Sequence, residues 1–152
     1  MNSDKTLRLV LGNQLFPIST HNFAENETVF MCEDLGLCSD VKHHKSKIAL
    51  FFSAMRSFRD ELEKNKINVI YYDYSNDFET DYCEKLIKTI SLNGIKKIVF
   101  FEIEDKLFEK KVLKSLDKHE IHFEQKTTPM FIDDRDSFND FCNEKDFLLQ
   151  AN

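Results

Sequence analysis

Four short runs decide most of what this chain can become. LRLVL at residues 7–11, TVFMC at 28–32, NVIYY at 68–72 and KIVFF at 97–101 are almost continuously branched or aromatic, and each halts at polar or glycine-bearing sequence. Runs this short, without polar alternation, read as strands buried on both faces. That is the condition of strands in a parallel sheet with helices on two sides. The segments between them carry a different period. From Lys42 onward, Ile48, Phe51, Phe52, Met55, Phe58 and Leu62 recur at spacings of three and four, with Lys47, Arg56, Arg59, Asp60 and Glu63 opposite. This spacing predicts an amphipathic helix, capped by Ser39 or Asp40 and ended at Asn65-Lys66.

The rest of the chain continues the alternation. Residues 82–92 form a second helical segment, stopped by Asn93-Gly94, a C-cap pair. Residues 105–118 form a third, and 121–124 a short fifth strand. Asp136 or Ser137 caps a last helix reaching about Asn143. The polar connection around Pro17 and residues 21–27 leaves room for a poorly formed crossover helix. The order of elements implies one α/β domain over residues 1–152. It is a doubly wound, mainly parallel five-stranded sheet with helices on both faces, Rossmann-like in architecture.

Charge and cysteine content narrow the function. Net charge is −6, and the short basic stretches are interrupted or flanked by acids. Direct nucleic-acid binding by this domain is not expected, because it needs a basic face. No run approaches the length of a membrane span, and residues 1–5 are polar after Met1 rather than signal-like. The four cysteines lack zinc-like spacing, so reduced thiols in a cytoplasmic protein are expected, with no metal site. The 15 Phe and absent Trp supply core volume that asks for no hydrogen-bond partner.

In doubly wound sheets, ligands bind beyond the carboxyl ends of the strands, where the strand order switches. The polar groups placed there are Gly12-Asn13-Gln14, Glu33-Asp34, Asp73 and Glu102. Asn13 and Gln14 offer amide donors and acceptors suited to a heterocycle or a sugar-like tail; a hydrogen-bonded turn is the structural alternative. Glu33-Asp34 reads as a pocket wall or a helix cap. His43 and His44 stand at the head of the first long helix. Adjacent helical residues diverge by about 100°, so the pair cannot chelate one metal; capping, packing and a pocket wall remain open. No glycine-rich phosphate loop and no nucleophile motif occurs, and no catalytic residue is assigned.

Two stretches, LRLVLGNQL and CEDLGLCSDVKHHKSKIALFFSAMRSF, resemble the start of the bacterial photolyase-related proteins. These are the iron–sulfur prokaryotic (6-4) photolyases and their cryptochrome-like relatives. A weaker likeness runs on through MFIDDRDSFNDFCNEKDFLL. The resemblance implies an N-terminal domain that binds an antenna chromophore, 6,7-dimethyl-8-ribityllumazine or a similar compound. FAD, a 4Fe-4S cluster and the DNA lesion site would lie in a helical C-terminal domain beyond this chain. That domain, in the same parent chain or a separate protein, is the expected partner. The chain alone would catalyse nothing; the parent would be a DNA photolyase, a lyase, or a light sensor. The resemblance places the antenna site at Gly12, Asn13 and Gln14, at the Glu33–Ser39 loop with Asp34, Leu35, Leu37 and Ser39, and at Glu102, with His43 and His44 in the same matched block. Two positions depart from the family pattern. Leu37 stands where an acid is common, and Ile103-Glu104-Asp105-Lys106 stands where Pro-Gly and an aromatic are common. They motivate a second reading, an interaction domain with a vestigial pocket that docks on a helical photolyase-type partner.

Overall fold

The computed structural model describes residues 5–34, 43–75 and 79–144. Among them, five strands run parallel in one sheet: β1 (Thr6–Leu9), β2 (Glu27–Cys32), β3 (Asn68–Tyr72), β4 (Lys97–Phe101) and β5 (His122–Lys126), in the order β3-β2-β1-β4-β5. The sheet is wholly parallel, not just mainly so. The helices are α1 (Ile18–His21), α2 (Lys45–Lys64), α3 (Tyr82–Asn93), α4 (Lys106–Lys118) and α5 (Arg135–Glu144).

Period-two alternation divides each inner strand between two cores. Leu7, Leu9, Phe30, Cys32, Ile98 and Phe100 face Tyr82, Leu86, Ile90, Val112 and Leu116 of α3 and α4. Val10, Val29 and Met31 face Met55, Phe58 and Leu62 of α2. The apolar runs thus cover both faces, as helices on two sides require. Cys32, Cys83 and Cys142 are free thiols. Among the described residues, no helix is long and apolar enough to cross a membrane.

Local chemistry sets the boundaries. The β1–β2 crossover holds a single turn, α1, ended by Asn22 in the left-handed conformation at φ 48°. The head of α2 departs from expectation. Ser39 and Asp40 lie outside the described residues, and the helix starts at Lys45, where the His44 ring Nδ1 accepts the Ser46 N–H at 3.2 Å. Asp81 caps α3, whose far end turns at Gly94 with φ 62°, and Asp105 caps α4 through the N–H groups of Leu107 and Phe108. For α5 the capping side chain is Asp134, which accepts from Ser137 N at 2.7 Å, rather than Asp136 or Ser137. β5 lies slightly later than its sequence implies. Ile121 donates its N–H back to Leu116 O and so closes α4, while Gln125 and Lys126 continue the ladder beside Phe100 and Phe101.

Candidate functional site at the switch point

The chain winds from β1 outward to β3, then returns across the sheet to β4. The crevice between the carboxyl ends of β1 and β4 is therefore the switch point of this topology. A cleft of about 260 Å³ opens there. Leu11 and Ile103, just past the two strands, line it together with Ile48, Phe51 and Phe52 of α2 and Phe108 of α4; its polar groups are Asn13, His43, Lys47 and Asp105.

The cleft exists because the apolar face of α2 outruns the sheet. Met55, Phe58 and Leu62 are fully buried against β1 and β2, whereas Ile48, Phe51 and Phe52, one to two turns nearer the N-terminus, are only half-buried. Their surplus apolar surface becomes a wall. Gly12 lets that wall come close. A Cβ at this position would lie 2.4 Å from Phe51 Cε1 and 2.7 Å from Met55 Sδ. Gly12→Ala is expected to displace Phe51 and to lower stability by about 1–3 kcal/mol, the usual cost of overpacking. Urea denaturation measures it, and an unchanged midpoint would show that Phe51 yields freely.

Beside the cleft, polar groups from two loops converge on Glu104. Its carboxylate accepts Asn13 Nδ2 at 2.9 Å, Gln14 Nε2 at 3.3 Å and Thr128 Oγ1 at 3.3 Å. Gln14, 1% exposed, also donates to Glu102 O at 2.8 Å. Glu102 itself accepts from Thr128 N at 3.3 Å and faces Arg135 Nε at 3.8 Å. Arg135 further pairs with Glu109 at 2.8 Å, tying α5 to the same rim. Burial pushes the Glu109 carboxyl up, but Arg135 and Gln125 overcome it and hold the group below its ordinary range.

The candidate residues divide accordingly. Asn13 and His43 line the cleft, Gly12 backs Phe51, and Gln14 supports the rim. The histidine pair splits, with His44 capping α2 and His43 facing the cleft. Glu102 belongs to the supporting network and not to the lining. Glu33 lies elsewhere, past β2, fully buried, accepting Arg56 Nε at 2.7 Å, Arg56 Nη2 at 2.9 Å, Tyr71 Oη at 2.7 Å and Tyr74 N at 2.9 Å. Burial alone would raise its pKa, yet these partners hold it below the usual range. Asp34, 7% exposed, and the partly buried Asp73 are likewise outside the lining. Leu35, Leu37 and Ser39 lie outside the described residues. Among the described residues, no group of three or more potential ligands is placed to hold a metal ion.

Sequence reasoning passed over Lys47, Asp105 and Phe108 as lining residues, and Glu104 as the hub. A signal for the last three did exist, because they follow β4 directly, at the strand end bordering the switch point.

An all-parallel, doubly wound sheet with helices on both faces and an apolar cleft at its switch point defines a Rossmann-like α/β domain. Comparison with known proteins is more specific: the chain matches the family described as "Deoxyribodipyrimidine photo-lyase-related protein" over residues 8–152 and belongs to that family. It is also similar to a (6-4) photolyase of Agrobacterium fabrum, with 43% identity over 68 residues, covering 43% of this chain and 13% of that photolyase.

Proposed function

We propose that the switch-point cleft holds a flat heteroaromatic antenna chromophore of the ribityl-lumazine kind, serving a photolyase-related flavoprotein in DNA repair or light sensing. The carrying observation is the cleft itself, with apolar walls from α2, α4 and the ends of β1 and β4 and few polar groups, at the place where such sheets bind ligands. Its volume of about 260 Å³ lies just below the usual range for ligand sites, about 300–1,000 Å³, which suits a compact ring with a tail reaching outward. Phe51, Phe52 and Phe108 offer faces and edges for ring contact, while His43, Lys47 and Asn13 offer hydrogen bonds. When bound, the chromophore would supply light absorption and excitation transfer to FAD in the helical domain, where a 4Fe-4S cluster is also expected. The residues here bind, orient and exclude water.

Titration with 6,7-dimethyl-8-ribityllumazine, read by absorption and fluorescence anisotropy, tests this reading. Saturable one-to-one binding is expected. Ile48→Glu keeps helix propensity but places a carboxylate in the apolar wall, and should weaken binding at least about tenfold. No binding by a folded sample, or equal binding by the variant, rejects the proposal.

A second reading has an observation of its own. Phe131, Ile132 and Phe138 are 60%, 104% and 59% exposed, apolar side chains on α5 and the segment leading into it that fit docking on a helical photolyase-type domain. Co-purification of that domain with a chain that binds no lumazine would favour it.

A further inference from the structure

Resting on the chromophore reading above, we infer that Glu104 orients the Asn13 side chain so that its Oδ1 is offered to the cleft as an acceptor, and that the site therefore selects a ring bearing an N–H donor. Asn13 borders the cleft, and its Nδ2 donates to Glu104 Oε2 at 2.9 Å. Turning the amide over would set Oδ1 against a carboxylate, two acceptors face to face, so the orientation is fixed. Glu104 is itself held in place, since it also accepts from Gln14 Nε2 and Thr128 Oγ1. Gln14 cannot readily leave, being 1% exposed and bonded to Glu102 O at 2.8 Å. Among the described residues, no donor is bonded to Asn13 Oδ1.

The other polar groups of the lining differ in kind. Asp105 Oδ1 accepts the N–H groups of Leu107 and Phe108, the cap of α4, so the acceptor that Asp105 leaves over is its Oδ2, on the α4 side. Lys47 and His43 bring donors from the α2 side. The cleft thus presents an acceptor from the β1 side and donors from the α2 side. An imide edge, an N–H flanked by carbonyl oxygens, answers both. Glu104 is a positioning residue in this scheme, because it acts through Asn13. It stands in the stretch where the chain departs from the pattern that its resemblance implies, so selectivity here is built with a carboxylate hub.

The test compares 6,7-dimethyl-8-ribityllumazine with its N3-methyl derivative, which lacks the ring N–H. Wild-type protein is expected to prefer the parent compound by about tenfold or more, the effect of leaving an acceptor unpaired. Glu104→Ala should reduce that ratio toward one. Thr128→Val, which removes a different Glu104 contact, should keep it and so controls for general loosening of the rim. In ligand-free protein, the Asn13 side-chain amide protons should be protected from exchange in wild type and in Thr128→Val, and lose that protection in Glu104→Ala. Equal binding of the two compounds by wild type, or an Asn13 amide indifferent to Glu104→Ala, overturns this inference and leaves the chromophore reading standing. Failure of both compounds to bind overturns the two together.

Discussion

Replacing Glu27 with alanine is expected to cost about 3–5 kcal/mol, the range for breaking a buried ion pair by removing one partner. Arg8 lies on β1, the central strand, and is 1% exposed; Glu27 opens β2 and is 8% exposed. Three contacts join them, Nη2 to Oε1 at 2.9 Å, Nη2 to Oε2 at 3.0 Å and Nε to Oε2 at 3.2 Å. Glu27 also accepts the Ala24 N–H at 3.2 Å, fixing the turn that delivers the chain into β2. Arg8 has little else. Among the described residues its Nη1 has no hydrogen-bond partner, and the guanidinium carbon lies over the face of Phe23 at 5.6 Å. In the alanine variant a guanidinium would stand uncompensated in the middle of the sheet. Urea denaturation should show a lower midpoint with an unchanged slope. The double variant Arg8→Met, Glu27→Leu should recover most of the loss, because the pair's desolvation penalty disappears with the charges. A loss below about 1 kcal/mol for Glu27→Ala would place the pair among solvated surface bridges and refute the argument.

Arg8 also marks the limit of what pattern alone can reveal. LRLVL reads as a buried strand despite its arginine, and that holds, but the cation's partner lies 19 residues away in sequence, and no periodicity points to it. The architecture was legible because it rests on local signals: uninterrupted apolar runs for inner strands, three-and-four spacing for α2, and Gly94 as a helix stop. β5 was harder. It is an edge strand with an exposed, polar sequence, HFEQK, so burial left little imprint on its pattern. The site was legible by position and less so by residue. Strand ends near the switch point pointed to Asn13 and the turn around it, and Asn13 does border the cleft. The same rule pointed to Glu33, whose carboxylate is turned instead to Arg56 and Tyr71. Whether a strand-end carboxylate faces a cleft or a neighbouring helix depends on side chains far along the chain. Lys47 and Phe108 enter the lining because two helices begin beside the crevice, which is a fact of assembly and not of either sequence segment.

Acid should destabilise this domain well before its carboxylates titrate, through one residue. His21, at the end of α1, is 1% exposed and stacked on Phe23, with ring centroids 4.8 Å apart and planes 7° apart. Phe16, Phe58 and Phe101 close around it, within 5.9 Å. Burial first, and then the Arg8 guanidinium, lower its pKa from 6.5 to about 4, and a backbone group of Gln14 opposes them only in part. The folded state therefore keeps the ring neutral where the unfolded chain binds a proton. Above pH 6.5 the residue makes no pH-dependent demand. As pH falls from 6.5 toward 4 the unfolded state gains protons alone, and stability drops by about 1.4 kcal/mol per pH unit, about 3 kcal/mol over the whole window. Glu33 and Glu109, whose folded values are depressed, add their own losses at lower pH, so the interval between pH 6.5 and 5 isolates the histidine. His21→Leu keeps an apolar group in the aromatic cage and removes the titration. Its stability should be nearly flat across that interval while the wild type declines. Parallel slopes for the two proteins would mean that His21 is protonated within the fold, and that the phenylalanine cage with Arg8 beside it does not exclude a second charge.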